Sequence, residues 1–116
     1  MLRKFGMSLI FLAGAAAPLA AAEQEVLLMG LGYFPDEIYV SIGDVINFVN
    51  DSTVPMSATA TDASWDSGVL QPGESFALEV TDGMQSSFGN TYDAESSAAG
   101  YIDYVNPAPL ELENNS

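Results

Sequence analysis

Whatever chemistry this chain performs must use carboxylates, hydroxyls and thioethers. Its 116 residues include no cysteine and no histidine, and its two basic side chains are Arg3 and Lys4. Beyond residue 4 there is no thiolate, imidazole or lysine amine, which excludes Ser-His and Cys-His nucleophiles, Schiff bases and His or Cys metal sites. Among the remaining residues, Met56 stands out in "NDSTVPMSATATD", directly after Pro55. Its thioether is a soft donor to Cu(I) and also a flexible filler of apolar gaps. Asp51, Asp62 and Asp66 offer oxygen ligands to a calcium or sodium ion. Their spacing matches no dedicated calcium loop, and solvated turns call for Asp equally. Glu23 with Glu25, and Asp93 with Glu95, are carboxylate pairs without an acid-base companion, so they do not motivate a hydrolase. Trp65, the sole tryptophan, either marks a binding face or packs on the rim of a core.

Charge narrows the partners. All 16 Asp and Glu lie from Glu23 onward, and both bases precede them. "MLRKFGMSLIFLAGAAAPLAAAEQ" has the basic start, apolar middle and small-residue end of a secretory signal, here residues 1–22, with cleavage expected after Ala22. Phe5 to Ala22 is barely long enough to span a bilayer, and Gly6, Gly14, Pro18 and the alanines make it a weak permanent anchor. No cysteine is present to carry a lipid. The processed chain would be periplasmic or extracellular and would hold carboxylates with no basic side chain to neutralise them. Such a surface repels nucleic acid and anionic lipid, so neither nucleic acid nor a membrane is an expected partner. The acidity suits a saline habitat, where screening acts over about 3 Å at 1 M salt; the alternative is steering toward a basic protein partner. The even spread of acids along the chain favours the habitat reading.

The elements that must position these residues read as strands. In "EVLLMGLGYFPDEIYVSIGDVINFVND", Ile38, Val40 and Ile42 fall on one face, and Ile46 and Phe48 on another after the Gly43-Asp44 turn. Ser57 to Thr61 is small and partly β-branched. Pro72-Gly73 is a turn, behind which Phe76, Leu78 and Val80 alternate, and Tyr101 to Val105 is strand-like again. No stretch after Ala22 has a helical period. Short strands at regular turn spacing predict an all-β antiparallel sandwich over residues 23–105, followed by an acidic, Pro-punctuated tail, 106–116.

The run Pro35-x-x-Ile38-x-Val40-x-x-Gly43-Asp44-x-Ile46-x-Phe48-x-Asn50 resembles the early strands of small cupredoxins of the plastocyanin and amicyanin type. "NDSTVPMSATATDASWDSG", "LQPGESFALEV" and Gly100-x-Ile102-x-x-Val105 continue the resemblance in order, over nearly all of Val26 to Val105. It implies a Greek-key β-sandwich, and in the family a copper held by a histidine after the loop proline and by a Cys-x-x-His-x-x-Met run before the last strand. Carried over by spacing, those ligand positions hold Met56, Tyr92, Glu95 and Ala98, and the residue after the first histidine, often asparagine in the family, is Ser57. Type 1 copper requires a thiolate and imidazoles, so no metal or cofactor is expected.

Together these residues describe an exported, cupredoxin-like, non-enzymatic binding or accessory module. Its interaction surface is expected around Met56, Trp65, Tyr92 and Glu95, with Met56 plugging the end of the sandwich and Tyr92 covering it. The competing expectation is a copper-binding electron carrier, as in the family, with a degenerate site or one completed by a partner.

Overall fold

The computed structural model describes residues 21–110. Residues 1–20, most of the expected signal segment, and the tail from residue 111 lie outside them. The described residues contain eight strands and no helix: β1 (Glu23–Leu28), β2 (Tyr33–Phe34), β3 (Glu37–Tyr39), β4 (Val45–Asn50), β5 (Thr59–Ala60), β6 (Ser75–Glu79), β7 (Ser87–Gly89) and β8 (Ala99–Asp103). They form two four-stranded sheets, in the orders β2-β1-β4-β6 and β3-β8-β7-β5. The expected all-β sandwich is thus the architecture found. Each sheet also contains one parallel pair, β1 with β4 and β3 with β8, within otherwise antiparallel pairing. Parallel neighbours need a crossover, so β1 reaches β4 only after the chain has visited the second sheet as β3.

Period-two alternation explains which side chains fill the space between the sheets. β4 alternates strictly, with Ile46, Phe48 and Asn50 inward. Val26 and Leu28 of β1, Ile38, Leu78, Val80, Phe88 and Ile102 complete the same core. Phe48 meets Phe88 edge-to-face at 5.3 Å, and Tyr33 meets Phe88 at 4.7 Å, a geometry aromatic quadrupoles favour. Gly100 is required here, since a Cβ on it would fall 2.2 Å from the Phe88 ring.

Three strand limits differ from the sequence expectation, and side-chain hydrogen bonds account for two of them. Alternation groups Ile42 with Ile38 and Val40, yet β3 stops at Tyr39 and Ile42 is 53% exposed. Asp44 takes the Ser41 N–H on its Oδ2 at 2.8 Å and donates its own N–H to the Ser41 carbonyl, closing a turn that Gly43 completes at φ +99. The last strand spans Ala99–Asp103 and stops short of Val105, because the Asp103 carboxylate accepts the Val105 and Asn106 N–H groups and curls the chain away. The Ser57 to Thr61 stretch keeps only Thr59–Ala60 as strand.

Candidate functional site

Met56 owes its position to a buried asparagine. The Asn50 side chain, at the end of β4, donates to the carbonyls of Val54 (2.8 Å) and Leu70 (2.7 Å) and accepts from the N–H and hydroxyl of Ser52. Both amide protons and the carbonyl are satisfied, so burial at 1% exposure carries no penalty and the loop from Asp51 to Pro55 is tied down. The chain then runs antiparallel to Leu70, exchanging both backbone hydrogen bonds with it at Met56. This turns the thioether inward, where it is 0% exposed and its sulfur accepts the Gly30 N–H at 3.1 Å. Met56 therefore fills the end of the core and secures the β1–β2 loop.

Beyond Met56 lies a knot of polar side chains. Ser57 donates its N–H to Asn90 Oδ1 at 3.0 Å, and its hydroxyl accepts the Thr91 N–H at 3.0 Å. Asn90 Oδ1 also accepts the Tyr92 N–H, and these two backbone donors identify that atom as oxygen. Proton direction can be followed through the hydroxyls: Thr91 donates to Thr59 at 2.9 Å, and Thr59 to the Asp66 carboxylate at 2.9 Å. The carboxylate also takes the Gly68 N–H. Each donor points toward the negative end, the arrangement in which hydrogen bonds reinforce one another. From the facing strand, Tyr33 gives its hydroxyl proton to the Ser57 carbonyl at 2.7 Å, and burial pushes the Tyr33 phenol well above the usual tyrosine range. A shallow cleft of about 190 Å³ opens over the knot, lined by Ser57, Asp66, Gly68, Val69, Thr91 and Tyr92.

The candidates named from sequence are thus only partly gathered. Met56 is interior. Tyr92 borders the cleft, but its ring is 52% exposed and its backbone alone joins the knot. Glu95 is exposed and donates its N–H to Asp93, with no side-chain link to Tyr92. Ala98 is buried at the edge of the core. Trp65 sits over the middle of the sandwich, stacked on Phe48 at 6.0 Å, with its indole N–H on the Gln85 carbonyl. Asp62 caps its own turn through the Ser64 hydroxyl and N–H, which hold its carboxyl below the usual range. Among the described residues, no group of three acidic side chains is placed to hold a metal ion. In the loop after β7, the side chain that accepts the Ser57 N–H is that of Asn90, two positions before Tyr92. Sequence reasoning misses it because an Asn-Thr pair in a loop reads as turn chemistry.

Copper, which the resemblance implies, does not fit this donor set. The Met56 sulfur is engaged by an amide N–H, Asn90 Oδ1 by two, and neither thiolate nor imidazole exists in the chain.

No family model matches the chain, and no curated protein matches it. Among solved structures it is similar to the "Novel Purple Cupredoxin from Nitrosopumilus maritimus", with a TM-score of 0.58 and 14% identity over 68% of this chain and 96% of that one. At that identity the likeness concerns architecture alone: two four-stranded sheets in a cupredoxin-like sandwich, here with a polar knot at one end.

Proposed function

We propose that this chain is an exported, non-enzymatic docking module that binds a basic protein through the end of the sandwich at Met56. The observation carrying this reading is the distribution of exposed apolar side chains. Met29, Leu31, Phe34, Val54, Val69 and Tyr92 are all exposed, Leu31 at 93%. They belong to segments that hydrogen bonds bring to one end: Gly30 to Met56, Asp51 to Leu28, Leu70 to Met56 and Thr91 to Ser57. Exposed apolar side chains gathered at one end of a domain and bordered by polar groups are characteristic of a docking site. The rim consists of Asp51, Asp66, Asp93 and Glu95, all exposed. With no basic side chain beyond Lys4, the complementary partner is cationic. Export rests on the layout of residues 1–22.

A photo-crosslinking residue placed at position 31, compared with one at position 101 on another part of the surface, tests this in cells of the source organism. The expected result is one adduct from position 31 with a protein of basic isoelectric point, lost on Phe34→Ser and weakened by raised salt. Equal adducts from both positions would reject the docking end, and an adduct of twice the chain mass would replace the basic partner with a second copy.

A further inference from the structure

The backbone becomes part of the fold one residue earlier than the expected cleavage point. The Ala22 carbonyl accepts the Val45 N–H at 3.0 Å, adding a rung to the parallel β1–β4 ladder that begins at Glu23 opposite Val45. The Ala22 N–H points at the Asp44 carboxylate, 3.1 Å from Oδ1. The other oxygen of that carboxylate is fixed by the Ser41 N–H at 2.8 Å, and the Asp44 backbone is held on both sides of the turn by Ser41 and Val80. Asp44 is half-buried and immobilised, with one oxygen turned to the start of β1.

We infer that export processing cuts between Ala21 and Ala22, and that the new Ala22 ammonium pairs with Asp44. This rests on the export reading above. The reaction is hydrolysis by a signal-removing peptidase: water adds to the Ala21 carbonyl, the C–N bond breaks, Ala21 leaves as a carboxylate and Ala22 nitrogen takes the proton. Ala21 supplies the small residue directly before the cut, with Leu19 in the third place where a cut after Ala22 would have Ala20, so the choice of bond rests on the fold contacts of Ala22. Cleavage after Ala22 would remove both the ladder rung and the group facing Asp44. Cleavage before Ala22 keeps the rung and converts a neutral donor into a charged one at the same place, where charge-assisted hydrogen bonds are shorter and stronger. Since every Lys and Arg precedes residue 5, that ammonium is the one cation available to the processed chain, and Asp44 is the carboxylate built to receive it.

Two measurements test this. N-terminal sequencing of exported protein should begin at Ala22; a start at Glu23 overturns the inference and leaves export standing, while an uncut chain overturns both. Independently, purified chains beginning at Ala22 or at Glu23, each with and without Asp44→Asn, form a double-mutant cycle. The Ala22 chain should melt about 5 °C above the Glu23 chain, within the range expected for one such interaction in a domain of this size. Most of that gap should vanish in the Asp44→Asn background. Equal melting, or a gap indifferent to Asp44→Asn, would show that Ala22 contributes a ladder rung at most and that no ion pair forms.

Discussion

The middle of the sandwich and its Met56 end are held by different forces. In the middle, Ile46, Phe48, Phe88 and Ile102 exclude water from a wholly apolar space, with Trp65 laid over it. At the end, Asn50, Ser57, Thr59 and Asn90 are as deeply buried as the apolar core, yet they are held by directed hydrogen bonds. Non-directional burial tolerates substitutions that keep volume and pattern. A polar knot tolerates few, because removing one member strands its partners without water. The end of the molecule thus gains a defined shape from directed hydrogen bonds, at the cost of depending on every member.

The sharpest test of that difference is to rebuild a copper centre at this end. The quadruple variant Met56→His, Asn90→Cys, Asp93→His, Ala98→Met puts the thiolate where the Ser57 N–H already has an acceptor. It keeps the family's Cys-x-x-His spacing and the buried position of Ala98. It is expected to show intense thiolate-to-copper absorption with Cu(II). The set placed on Tyr92, Glu95 and Ala98 with Met56 should stay colourless, because Tyr92 and Glu95 are exposed and neither side chain bonds to the knot. The reverse result would move the knot's register by two residues.

Next in size is the apolar middle. Phe88→Ala removes a ring in contact with Tyr33, Phe48 and Trp65 and should cost about 3–5 kcal/mol by denaturant unfolding. Asn90→Ala deletes fewer atoms but leaves the Ser57 and Tyr92 N–H groups without their acceptor. It should cost about 1–3 kcal/mol. Replacing Asn90 with Leu should not recover that loss, whereas Phe88→Leu should recover part of its own. Similar recovery at both positions would erase the distinction between middle and end.

The smallest expected effect is a dependence on pH. The N–H groups of Asn106, then Val105, hold the Asp103 carboxyl below the usual carboxylate range. Its folded pKa is thus below the unfolded value of about 3.9. The stabilisation is therefore complete above that value and is lost as pH falls through the folded pKa. Acid unfolding of Asp103→Asn should lack this component, and carboxyl NMR titration should place Asp103 below the usual aspartate range. Since Asp103 is exposed, the change in midpoint should be slight.

The sequence by itself determined the sandwich and its core. Alternation in "VINFVN" forces Ile46 and Phe48 to one face, and Gly43-Asp44 marks a turn whatever surrounds it, because both signals act over a few residues. It also determined the donor chemistry, since the absence of cysteine and histidine holds in any fold. Where β3 ends, and so the exposure of Ile42, was less legible: strand propensity continues through Ile42, and the Asp44–Ser41 hydrogen bonds override it. The knot was decided only in three dimensions. Ser57 and Asn90 are 33 residues apart, and each alone reads as an ordinary loop residue. Their hydrogen bonds depend on β5 and β7 being paired, Thr59 opposite Gly89, and local sequence carries no record of which distant strand will bring an acceptor within about 3 Å.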